Sequence, residues 1–126
     1  GFGASAYAGG AAASGDDLAW ADSILRAVGT AVQVSEGQLD AVTGLSGSGP
    51  AYVFLVAESL VEAGVLVGLP RDVAEVLAEQ TLRGAAELLI RSDEHPAQLR
   101  NAVTSPGGTT AAGLDRHQLF IATSIQ

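Results

Sequence analysis

The chain has 126 residues, 48% of them hydrophobic, with six basic side chains against fourteen acidic ones and a net charge of −8. That balance leaves no basic face for nucleic-acid phosphates or an anionic membrane surface, and the apolar content excludes a disordered tail. With no Cys there is no disulfide framework, thiolate metal site or cysteine nucleophile, and the length suits one domain.

No apolar run approaches the roughly 18 uninterrupted residues of a membrane span, and no charged start ahead of an apolar run reads as a signal peptide. The opening Gly1-Phe2-Gly3, in a chain without Met, points to a processed product or a piece of something longer. Gly1 to Ala12 are small residues around Phe2 and Tyr7, either an extended edge segment or a linker. The expected division is a linker remnant over 1–13 and a helical domain over 14–126.

Ser14 with Asp17 forms a capping box, followed by Leu18, Ala21, Ile24, Leu25 and Val28 at helical spacing, and Gly29 ends that helix. Thr30 to Val34 alternates and is the one strand-like stretch. A second box, Ser35 with Gln38, opens a short helix through Leu45, which Ser46-Gly47-Ser48-Gly49-Pro50 breaks. Tyr52 to Val61 is apolar on most sides, interrupted by Glu58 and Glu62 and closed by Gly64. Such a helix is buried on most sides, and in so small a domain that calls for a second subunit.

Pro70 starts the longest helix, reaching Ser92, with Val73, Val76, Leu77, Leu88 and Leu89 inward. Asp93 or Glu94 caps a short helix from Pro96 to Val103, the loop Thr104 to Thr110 follows, and a last helical start lies at Ala111. The fold class is all-α, with at most one short strand.

Most motifs have plain explanations. Gly1-Phe2-Gly3-Ala4-Ser5-Ala6 fits the letters of a dinucleotide fingerprint but has no strand before it and no helix directly behind it. Gly47-Ser48-Gly49 lacks the Lys and third Gly of a phosphate loop. His95 and His117 stand apart, so no metal site is expected, and a serine nucleophile has no His and acid to serve it. The stretch Thr104-Ser105-Pro106-Gly107-Gly108-Thr109-Thr110 is different: Gly and hydroxyl residues ahead of a helical start can offer bare amides and O–H donors to a small carboxylate. An ordinary capped turn explains the same residues, and both readings stand open.

At these stretches the sequence resembles a known family. Leu39 to Tyr52, Gly68-Leu69-Pro70-Arg71, Gly84-Ala85-Ala86, His95 to Arg100 and Val103 to Leu114 are similar to the helical dimerisation domain of pyrroline-5-carboxylate reductases. The resemblance covers about Leu18 to Leu114 and does not extend into 115–126. It implies a fold similar to the C-terminal domain of 6-phosphogluconate dehydrogenase, interlocked with a second copy as a homodimer or higher oligomer. It also implies a nucleotide-binding Rossmann domain outside this chain, NADPH or NADH as hydride donor, and a cytoplasmic enzyme reducing 1-pyrroline-5-carboxylate to L-proline.

The family's Ser-Pro-Gly-Gly-x-Thr pattern assigns the substrate carboxylate to Ser105, Gly107, Gly108, Thr109 and Thr110. The Thr110 hydroxyl or a water is the candidate proton donor to the ring nitrogen. No cofactor site is expected within this chain, which alone should be inactive. The competing reading is a non-catalytic helical oligomerisation module.

Overall fold

The computed structural model describes residues 1–105 and Gly108. The chain divides into two compact units, Gly1–Ala74 and Glu75–Gln126.

The first unit opens with β1 (Gly3–Tyr7), α1 (Gly15–Arg26) and β2 (Gly29–Gln33). The two strands pair in parallel, Gly3 opposite Gly29 and Tyr7 opposite Gln33, and α1 is the crossover between them. Ser14 and Asp17 start α1 as expected: the Asp17 N–H donates to Ser14 Oγ at 3.2 Å and the Ser14 N–H donates to Asp17 Oδ2 at 2.9 Å. Those bonds to Ser14 hold the Asp17 carboxyl below the usual carboxylate range.

A four-residue network ties the unit together. Arg26 Nε pairs with Asp22, Arg26 Nη2 donates to the Ala31 carbonyl at 3.1 Å, and Tyr7 Oη donates to Asp22 Oδ1 at 3.0 Å. The guanidinium lowers the Asp22 carboxyl, while desolvation and then the bond to Asp22 push the Tyr7 phenol up.

The protein is mostly helical, but it has two strands where the sequence allowed at most one. The missed strand is β1. Gly-Ala-Ser-Ala has little intrinsic strand signal, and pairing with β2 supplies what local sequence does not. Of the two readings open for Gly1 to Ala12, the extended one holds over Gly3–Tyr7.

Ser35 and Gln38 form their box, the Gln38 side chain accepting from the Ser35 N–H at 2.9 Å, and a 3₁₀ turn over Glu36–Gln38 leads into α2 (Leu39–Val42). Ser46 to Pro50 is not the break that was expected. The chain passes through a π turn, Thr43–Gly47, in which the Ser48 N–H reaches the Thr43 carbonyl at 2.9 Å, and enters α3 (Gly49–Leu66) with Pro50 in its first turn. A proline there has no N–H to offer the preceding turn, so one wider turn absorbs it without stopping the helix.

α3 also ends later than Gly64. The Leu69 N–H bonds to the Gly64 carbonyl and the Gly68 N–H to the Val65 carbonyl, both at 3.0 Å, with Gly68 at φ +104°. This is a Schellman closure, which requires a left-handed residue and so selects glycine at 68. Gly64 serves close packing instead: a Cβ built there would lie 3.1 Å from the Ala74 Cβ. α4 (Arg71–Arg91) starts beside this corner, where Arg71 pairs with Glu62 at 2.9 Å.

In the second unit α4 ends with the Glu87–Arg91 ion pair at 3.0 Å, and α5 spans Pro96–Ala102.

Among the described residues only Ala31, Ala74 and Ala78 are buried. Val73, Val76, Leu77, Leu88 and Leu89, expected inward, are all exposed. The inward placement of these five is therefore not met: among the described residues nothing buries them.

Candidate functional site

Two features can do work: the apolar surface of α3 and the turn that follows α5. On α3, Tyr52, Val53, Phe54, Leu55 and Val56 are consecutive, so at 100° per residue they step around the whole helix. All five are exposed, from 41% at Val56 to 70% at Phe54. Over this run α3 is apolar all round and, among the described residues, largely uncovered, a surface suited to enclosure by something else. The helical stretch Glu36–Leu66 is also long and apolar enough, by length and composition alone, to cross a membrane, although Glu58 and Glu62 interrupt it.

α5 delivers the chain to the second feature. Its N-cap is His95 rather than Asp93 or Glu94. The Ala97 N–H donates to His95 Nδ1 at 3.2 Å, and the His95 N–H donates to Gln98 Oε1 at 2.9 Å. At the other end the Thr104 N–H donates to the Asn101 carbonyl at 3.1 Å and Thr104 Oγ1 to the Arg100 carbonyl at 2.7 Å.

The Gly108 N–H then donates to the Ser105 carbonyl at 3.0 Å, closing a four-residue turn. Ser105 is exposed at its rim. A Cβ on Gly108 would lie 3.3 Å from the Ser105 carbonyl oxygen, a tight approach to the acceptor of the turn's own hydrogen bond, and in ordinary contact with Ser105 Oγ.

Of the five residues assigned to the carboxylate, Ser105 and Gly108 are thus brought together across one turn. Gly107, Thr109 and Thr110 lie outside the described residues, as do His117 and the stretch 115–126. The Gly108 N–H is engaged by the Ser105 carbonyl in this turn. Sequence reasoning missed the π turn and the histidine cap. The second carried a readable signal, Gln98 three residues after His95, in the place a capping box reserves for Glu or Gln.

The fingerprint letters of Gly1 to Ala6 lie largely within β1, not in a strand-to-helix turn, so these residues make no pyrophosphate cradle. Among the described residues no three His, Asp or Glu side chains gather as a metal site.

Residues 36–119 match the family model described as pyrroline-5-carboxylate reductase dimerisation. Curated relatives named pyrroline-5-carboxylate reductase include one from Synechocystis, 59% identical over 99 residues, covering 79% of this chain and 37% of that protein. Another, from Methanosarcina acetivorans, is 50% identical over 111 residues, covering 88% and 41%. The chain therefore spans about two fifths of the length of the relatives it matches.

Among solved structures, the 1-pyrroline-5-carboxylate reductase of Streptococcus pyogenes superposes with a TM-score of 0.86 at 35% identity, covering 97% of this chain and 48% of that one. The Plasmodium falciparum pyrroline carboxylate reductase with NADP bound superposes with a TM-score of 0.82 at 36% identity, covering 91% and 47%. The family match begins beside the Ser35–Gln38 box and takes in α2 to α5 and the Ser105–Gly108 turn. On this evidence the chain belongs to the pyrroline-5-carboxylate reductase dimerisation family.

Proposed function

We propose that this chain is the dimer-forming and substrate-carboxylate-holding part of an enzyme that reduces 1-pyrroline-5-carboxylate to L-proline in the cytoplasm. The observation that carries dimer formation is the exposed apolar run Tyr52 to Val56 of α3. A second copy that lays its own α3 against it removes both surfaces from water, as an isologous interface does.

The carboxylate falls to the turn after α5. The Ser105 hydroxyl and the amides of Gly107, Thr109 and Thr110 are the donors, and Gly108 keeps the turn tight. Anchoring the carboxylate fixes the cyclic imine for hydride attack by proximity and orientation. NADPH or NADH supplies the hydride and binds outside this chain, which therefore has no turnover by itself. The Thr110 hydroxyl or a water passes the proton to the ring nitrogen.

Titration of L-proline against the native chain and Gly108→Val, followed by calorimetry, tests the carboxylate assignment. Saturable binding in the native chain and its loss in Gly108→Val are expected. No heat from either, in a folded and dimeric sample, leaves a scaffold that assembles subunits and binds no reactant. NADPH-dependent imine reduction by the isolated chain would overturn the placement of the nucleotide.

A further inference from the structure

α5 has seven residues, and it begins on a histidine rather than on the Ser, Thr, Asp or Asn that usually caps a helix. The cap consists of the Ala97 N–H on His95 Nδ1, the His95 N–H on Gln98 Oε1, and the Gln98 N–H on the His95 carbonyl at 2.8 Å. A ring nitrogen accepts a hydrogen bond only through a free lone pair. The observed cap therefore requires a neutral imidazole with its proton on Nε2.

We infer that His95 is a proton-sensitive cap that sets the order of α5 and of the Ser105–Gly108 turn at its far end. When Nδ1 takes up a proton from water its lone pair becomes an N–H bond, and the ring becomes a cation with two donors. The Ala97 N–H then faces another donor, and positive charge stands at the positive end of the helix. A helix of two turns has little cooperative length to absorb the loss. Its last turn carries the Thr104 bonds to Arg100 and Asn101, one residue before Ser105, so slack at His95 reaches the turn.

The charged residues nearest His95 along the chain are Asp93 and Glu94 before it, the Glu87–Arg91 pair at the end of α4, and Arg100 in the last turn of α5. Among the described residues the imidazole bonds only the Ala97 amide. His95 is a positioning residue. The inference goes beyond the carboxylate assignment and stands whether or not the turn takes a ligand.

Nitrogen-15 NMR of the whole chain tests this between about pH 5 and 8, the range in which histidines change charge. The His95 ring signals are identified by their loss in His95→Asn, and the α1 amides serve as the internal standard. The neutral ring should be the Nε2–H tautomer. On protonation, protection of the Ala97 and Gln98 amides, corrected for intrinsic exchange, should fall about fivefold, the effect of a lost N-cap, with Gly108 following.

His95→Asn keeps a capping oxygen that does not titrate and should hold the same amides protected at every pH. His95→Ala should hold them about fivefold less protected at every pH. An Nδ1–H tautomer in the neutral ring, or native protection that tracks His95→Asn across the range, overturns the inference. A pH-dependent cap without proline binding would overturn only the carboxylate assignment.

Discussion

Phe54 gives the sharpest test of α3 as the face on which two copies meet. It sits within the apolar run of that helix, 70% exposed. Burying a whole phenylalanine contributes at most about 3 kcal/mol, so covering the exposed part contributes about 2 kcal/mol. In a two-fold dimer the substitution is made twice, and Phe54→Ala removes about 4 kcal/mol, or roughly a thousandfold in Kd. Alanine is the best helix former, so α3 itself is not weakened. Sedimentation velocity over a dilution series measures the Kd directly. Trp20→Ala is the control, a 71% exposed aromatic on α1 that should leave the dimer unchanged. Equal weakening by both, or a Phe54→Ala dimer within about threefold of native, would refute the assignment of α3 to the interface.

Three further outcomes follow from the geometry. Gly64→Val presses a branched side chain against Ala74 and should cost roughly 1–3 kcal/mol in a thermal melt, with Ala74→Gly restoring part of it. Gly68→Ala forces a Cβ into the left-handed region at φ +104° and should lower the urea midpoint by about 1 kcal/mol with an unchanged slope. Asp17 and Asp22 both titrate below the usual carboxylate range when folded. The stability they contribute is therefore complete above about pH 4 and is lost as the pH falls through their lowered values. Denaturation at a series of acidic pH values should show that loss, and Asp22→Asn should flatten it.

The helices were readable because their signals are local. Ser14 with Asp17 and Ser35 with Gln38 are contacts three residues apart, fully visible in the string. β1 was not readable, because its identity comes from pairing with residues more than twenty positions away. The end of α3 depended on choosing between Gly64 and Gly68, and only the nearness of Ala74 shows which glycine packs and which one turns. The histidine cap competed with Asp93 and Glu94, better cappers by type but two and one residues too early. At the site, the sequence left a carboxylate cradle and an ordinary capped turn both open, whereas the engagement of the Gly108 amide by Ser105 is a fact of conformation alone.

Among the described residues the buried interior amounts to three alanines, little to hold them in one shape without a second copy. Association and folding then become one equilibrium, and the melting temperature should climb as more copies share the same volume. A dilute solution of this chain is consequently a different material from a concentrated one, and substitutions that never touch a ligand would still reveal themselves through protein concentration.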